Sequence, residues 1–67
     1  MNAVELLLQG HKQAAKQAAR GLHLVDLSTM AAPFGFSPLD RWGLAAYLLG
    51  WLPWAKAEEI LKGGEIA

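Results

Sequence analysis

Three residue types that build hydrolytic triads occur close together in the chain, at His23, Asp26 and Ser28. A serine nucleophile needs a histidine base held by a carboxylate, together with donors for the oxyanion. These side chains lie within six residues of one another, and no recognisable oxyanion loop accompanies them. Turn and capping roles explain the same residues. The sequence therefore predicts no catalytic residue and a protein that is not an enzyme.

Ligands for a metal or a cofactor are also scarce. His11 and His23 are the two histidines, and the chain has no cysteine. A structural zinc site usually takes four cysteine or histidine ligands. The seven glycines do not form the spacing of a phosphate-binding loop. We predict no metal and no cofactor, and we interpret His11 as a histidine of the core or of an interface.

A basic stripe is predicted on the first helix, where Lys12, Lys16 and Arg20 recur every four residues. Residues 1–23 carry these three cations against Glu5 alone. A stripe of this kind can contact the phosphates of a nucleic acid, and a solvated helix face gives the same pattern. Lys12, Lys16 and Arg20 are therefore candidate nucleic-acid contacts, with the solvated face as the alternative.

Large aromatic residues are concentrated in one segment of thirteen residues in the second half of the chain. Tryptophan and tyrosine often anchor protein interfaces. The alternative interpretation is that these rings form the ordinary hydrophobic core of the domain. Four large rings exceed what the core of so short a chain needs. We predict an interface formed by these rings and two neighbouring leucines: Trp42, Tyr47, Leu48, Leu49, Trp51 and Trp54.

The elements that position these side chains are predicted to be helices. Asn2 and Glu5 have the spacing of a capping box, and apolar residues then recur at helical intervals as far as Leu22. Gly10 interrupts the pattern, but a glycine costs a helix only about 1 kcal/mol relative to alanine. We predict one helix over residues 3–20.

The middle of the chain gives weaker signals. Residues 22–36 are predicted to be a short helix or irregular, because Pro33 disfavours helix at the residue before it. The start of the next helix is clear, since Ser37 is a good N-cap and Pro38 suits the first helical position. This helix is predicted over residues 38–50.

Pro53 then either kinks this helix or begins another, over residues 54–62, which Gly63 and Gly64 should end. No repeat or linker divides the chain. The prediction is an all-α fold of three to four short helices, with residues 1–67 forming a single small domain.

The predicted helix over residues 38–50 is apolar almost all round. Such a helix must be buried on more than one side. The chain has 67 residues, 54% of them hydrophobic, with zero net charge and no disulfide. A chain this small cannot supply all those sides by itself. We therefore expect the domain to complete its core by forming a homo-oligomer or by binding a larger protein subunit.

A membrane surface is the alternative partner. Residues 42–55 form an uncharged run of 14 residues, whereas a membrane span needs about 20. This segment could lie in the interface of a bilayer as part of a membrane-surface or membrane-complex subunit. The first residues lack the pattern of a signal peptide, so the expected location is cytoplasmic.

The order of residues in the second half resembles one protein family. Short groups follow one another over residues 39–64: Leu39-Asp40-Arg41, Leu44-Ala45-Ala46-Tyr47, Trp51, Trp54, Ala57-Glu58-Glu59 and Leu61. This series is similar to the helical segment of the small terminase subunits of tailed phages. The resemblance implies a ring-forming, DNA-recognising packaging protein that assists an ATPase and nuclease subunit. The predicted function is a non-enzymatic helical interaction module, with phage DNA packaging or assembly as its specific version.

Overall fold

The computed structural model describes residues 1–63, which form five α-helices and one 3-10 turn. In chain order these elements are α1 Ala3–Leu8, α2 Lys12–Ala18, α3 Leu24–Ala31, the 3-10 turn Ala32–Phe34, α4 Pro38–Leu48 and α5 Trp54–Gly63. The described residues contain no strand, so the all-α class is confirmed. The predicted number of helices was too small. Gly64, predicted to help end the last helix, lies outside the described residues.

The prediction of one helix over residues 3–20 was wrong, because the chain turns at Gly10. Gly10 has a left-handed backbone, with φ +90°. Its N–H donates to the carbonyl of Leu7, and the N–H of His11 donates to the carbonyl of Leu6, both at 3.0 Å. This pair of bonds satisfies carbonyls that a helix end leaves open. The glycine therefore ends α1, and α2 starts in a new direction.

The predicted helix starts at Asn2 and Ser37 are confirmed. The Glu5 N–H donates to the Asn2 side chain at 2.9 Å, and the Asn2 N–H donates to the Glu5 carboxylate at 2.8 Å. The Ser37 hydroxyl accepts a hydrogen bond from the Asp40 N–H at 3.2 Å, and Pro38 begins α4. Side-chain caps of this kind form between residues three apart.

Of the two alternatives for residues 22–36, the short helix is confirmed: α3 spans Leu24–Ala31, and the 3-10 turn follows it. The Asp26 carboxylate accepts a hydrogen bond from the His23 N–H at 3.0 Å, which fixes the start of α3. Pro33 lies in the 3-10 turn, which Gly35 ends with φ +83°. The proline is tolerated there because it falls after the last residue of α3.

The described helices share one hydrophobic core. Val4, Leu27 and Leu44 are the largest side chains that are completely buried. Between them lie small residues that allow the helices to approach closely: Ala15, Ala19, Ala31, Ala45 and Ala57. Gly43 has the same role, because a methyl group on it would stand 3.2 Å from Cγ2 of Ile60 in α5. Small residues therefore allow close packing of the helices, and Tyr47 contributes an aromatic ring buried within the same core.

The central helix is α4, whose residues 43–48 are all buried. α3 and α5 of the same chain both pack against it. The accessible surface is 4189 Å², close to the roughly 4,100 Å² expected of a compact monomer of this size. The expectation that one chain could not bury this helix was therefore wrong for residues 43–48. The first half of α4 stays open at Leu39 and Trp42.

Candidate functional site

The side chains that looked like a triad act locally in and around α3. The Asp26 carboxylate is bonded to the backbone N–H of His23. Ser28 lies further along the helix, in the wall of a groove. Within residues 1–63, no three His, Cys, Asp or Glu side chains come close enough together to hold a metal ion. These residues begin α3 and shape its surface.

His11 is exposed, at the residue before α2. The core alternative for this histidine was wrong. The physical reason is the left-handed turn at Gly10, which rotates the residues after it away from the buried face of α1. The interface alternative stays a prediction.

The predicted aromatic interface divides into core and surface. Tyr47 and Leu48 are only 5% and 4% exposed and belong to the chain's own core. They offer almost no surface to a partner. Leu49 and Trp54 are half-buried and pack against that core.

The exposed tryptophans are Trp42 and Trp51, at 39% and 60%. Trp42 lies near the start of α4, and Trp51 follows its end. α4 ends at Leu48, so Trp51 lies outside the helix, beyond the left-handed Gly50. Trp42 lines the same groove as Ser28, whereas Trp51 is displayed by the turn after α4.

Two lysines of the basic stripe contact two rings of the aromatic cluster. The spacing of these residues in the sequence does not reveal this contact. Nζ of Lys12 lies 4.3 Å from the ring centroid of Trp54, and Nζ of Lys16 lies 4.6 Å from that of Tyr47. The two rings themselves meet edge to face, with centroids 5.1 Å apart and planes at 70°. Each lysine thus lies over an electron-rich ring face. Arg20 is exposed beyond the end of α2.

We call this region the turn surface. It consists of two lysines of α2 and the segment that joins α4 to α5: Lys12, Lys16, Trp51, Leu52, Pro53 and Trp54.

A groove of about 290 Å³ opens between α3 and the start of α4. We call its walls the groove surface, formed by six uncharged residues: Leu24, Val25, Ser28, Thr29, Pro38 and Trp42. Val25 is 72% exposed, and Leu39 beside Pro38 is 54% exposed. The aromatic pattern identified Trp42. The α3 wall was missed because no helix was firmly predicted there, although Val25 and Thr29 have helical spacing.

No family model, curated protein or solved structure matches the chain. The similarity of residues 39–64 to small terminase subunits therefore stays a prediction. Up to residue 63, this segment forms α4 and α5, and a turn at Gly50 separates the two helices.

Binding is the chemistry that both surfaces suit. The groove surface offers apolar walls with two hydroxyl groups, and the turn surface offers cations beside a large exposed ring. In the described part of the chain, no helix combines the length and the apolar character needed to cross a bilayer.

Proposed function

We propose that the chain is a non-enzymatic, self-associating interaction module that pairs with a second copy through the groove surface. The observation that carries this proposal is an open, uncharged groove walled by the exposed ring of Trp42. A tryptophan beside an apolar groove is a typical interface anchor, because its large surface loses water on docking.

The groove surface has the shape that a symmetric pair requires. A two-fold interface brings the same patch from both copies together, so the patch must contain both a projection and a hollow. Trp42 and Leu39 provide exposed apolar side chains beside the hollow between α3 and α4. None of the lining residues is charged, so two copies meet there without repulsion between like charges.

The size of the groove surface supports a weak pair rather than a permanent one. Six residues line the groove, fewer than the roughly 20–30 residues that each partner contributes to a standard interface. A standard interface buries about 800 Å² on each partner. We therefore expect a dissociation constant between about 1 µM and 1 mM. Such a pair suits a small subunit whose assembly is reinforced by further contacts.

Phage DNA packaging is the second candidate function, favoured by the terminase-like order of residues in α4 and α5. A ring of copies needs a head-to-tail contact, because a two-fold pair closes on itself. This version therefore requires a second interface besides the groove surface. A species larger than a dimer in solution would support it.

Sedimentation velocity of the purified chain, over about 1 µM to 1 mM, tests the first proposal. The parent should shift from monomer to dimer across this range. Trp42→Ala should remove the anchor, and Val25→Asp should place two like charges together in the pair. Because Val25 is 72% exposed, this second change should leave the fold intact.

Trp51→Ala is the matched control, since it removes an exposed tryptophan from the other end of α4. It should associate like the parent. A parent that stays monomeric over the whole range contradicts the proposal, and so does a Trp42→Ala variant that pairs as well as the parent.

A further inference from the structure

The turn surface lies away from the groove and combines exposed apolar residues with cations. We propose that it binds the surface of a membrane that contains anionic lipids, with Trp51 and Leu52 entering the interface and Lys12 and Lys16 meeting the headgroups. This inference does not depend on pairing through the groove surface.

Geometry brings the cations and the exposed ring to one end of the molecule. The two lysine ammonium groups lie 4.3 Å and 4.6 Å from the ring centroids of Trp54 and Tyr47. Those rings bracket the turn that carries Trp51. Three trans peptides span at most about 11 Å, so the Cα atoms of Trp51 and Trp54 are no further apart than that.

The turn that displays Trp51 has a defined backbone. Gly50 is left-handed, with φ +83°, and its N–H donates to the carbonyl of Tyr47 at 3.0 Å. The N–H of Trp51 donates to the carbonyl of Ala46 at 2.8 Å. The side chain of Trp51 is nevertheless 60% exposed. Because this backbone is already ordered, little conformational freedom is lost on binding, which favours affinity.

The two segments of the chain that build the turn surface carry basic residues and no acidic ones. Residues 6–25 and residues 41–57 contain no aspartate or glutamate. These are the two segments that build the turn surface. The next acidic residues along α5 are Glu58 and Glu59, which pair with Lys62 at 3.5 Å and with Lys56 at 3.6 Å. The surface therefore has the charge that complements an anionic partner.

A lipid surface fits the residue types better than a nucleic acid does. Contacts to nucleic-acid phosphates commonly use hydroxyl and amide side chains as well as cations. The segment that displays Trp51, residues 41–57, contains no Ser, Thr, Asn or Gln. The amides of this surface are Gln13 and Gln17, beside the lysines of α2. Tryptophan together with lysine is instead typical of groups that sit at the membrane–water interface. The half-exposed Leu52 and exposed Pro53 extend the apolar part of the surface.

The test uses the full chain with vesicles of phosphatidylcholine alone and vesicles that also contain phosphatidylserine, at low and at physiological ionic strength. The parent should bind the anionic vesicles more tightly, and salt should weaken the binding. Lys12→Gln should reduce partitioning about fivefold, the contribution expected of one surface lysine. Trp51→Ala should reduce it roughly tenfold or more, since a large apolar side chain is lost.

Matched variants distinguish a specific effect of the turn surface from an effect of net charge and from loss of the fold. Lys62→Gln removes one positive charge from the far end of α5 and should change partitioning little. Lys12→Arg keeps both the charge and a cation over Trp54, and it should bind like the parent. Trp42→Ala should also bind like the parent, because it alters only the groove surface. Circular dichroism of each variant establishes that it is folded.

Two results with the parent would overturn the inference: no binding to anionic vesicles at low salt, or equal binding to neutral vesicles. Two results with the variants would do the same. These are an equal loss of partitioning in Lys12→Gln and Lys62→Gln, or unchanged partitioning of Trp51→Ala. Binding to duplex DNA without vesicle binding, lost in Lys12→Gln, would assign the cations to nucleic acid instead. Since dimer formation is measured without lipid, failure here leaves the groove proposal standing, and the reverse also holds.

Discussion

Replacing Trp54 with alanine should destabilise the fold far more than the same change at Trp51, although these tryptophans are three residues apart. Trp54 is half-buried against the core. It meets the ring of Tyr47 edge to face at 5.1 Å, and it carries Nζ of Lys12 at 4.3 Å. Trp51 is 60% exposed, and it lies outside the hydrophobic core cluster.

The size of the effect can be estimated from these contacts. An edge-to-face ring pair contributes about 0.5–1.5 kcal/mol, and a cation over an exposed ring about 0.5–1 kcal/mol. Truncating a fully buried aromatic residue costs about 3–5 kcal/mol. Because Trp54 is only half-buried, we expect the lower end of that range, about 3 kcal/mol. A domain of this length has roughly 3–10 kcal/mol of total stability, so the loss is a large fraction of it.

Urea unfolding followed by helical circular dichroism measures the difference. Trp54→Ala should lower the midpoint strongly, whereas Trp51→Ala should change the free energy of unfolding by no more than about 0.5 kcal/mol. A double-mutant cycle with Lys12→Gln should give a coupling to Trp54 of about 0.5–1 kcal/mol. Equal losses at the two tryptophans, or losses below about 1 kcal/mol at both, would refute the reasoning.

Three further changes test other parts of the molecule. Gly50→Ala should lower the free energy of unfolding in urea by about 1–2 kcal/mol, because φ is +83° at this position. Gly50→Asn should lower it less, because asparagine tolerates this conformation. Equal losses in the two variants would contradict the left-handed turn. Asn2→Ala should cost about 1 kcal/mol by removing the cap of α1, with Asn2→Asp close to neutral, and a neutral alanine variant would mean that the cap is not formed. If Lys12, Lys16 and Arg20 contact duplex DNA, the log–log salt slope of binding should be near −3 and should flatten when all three are changed to glutamine. No binding at about 50 mM salt would exclude those contacts.

The sequence by itself determined the features that depend on residues close together in the chain. The starts of α1 and α4 were predictable because Asn2 and Ser37 bond to backbone groups three residues away. The all-α class followed from helical spacing of apolar residues. Gly10 was misjudged, because a glycine both weakens a helix and suits a helix end, and the local sequence does not choose between these roles.

Only the tertiary structure decided what the side chains contact. The aromatic residues of the second half looked alike in sequence, yet Tyr47 is buried, Trp54 is half-buried, and Trp42 and Trp51 are exposed. Nothing in the spacing of Lys12 indicates that it lies over the ring of Trp54. That contact joins residues about forty positions apart, and together with the contact of Lys16 to Tyr47 it brings two side chains of α2 onto the rings that flank the turn after α4. Burial depends on which helix covers which face, and this is settled only when the whole core packs together.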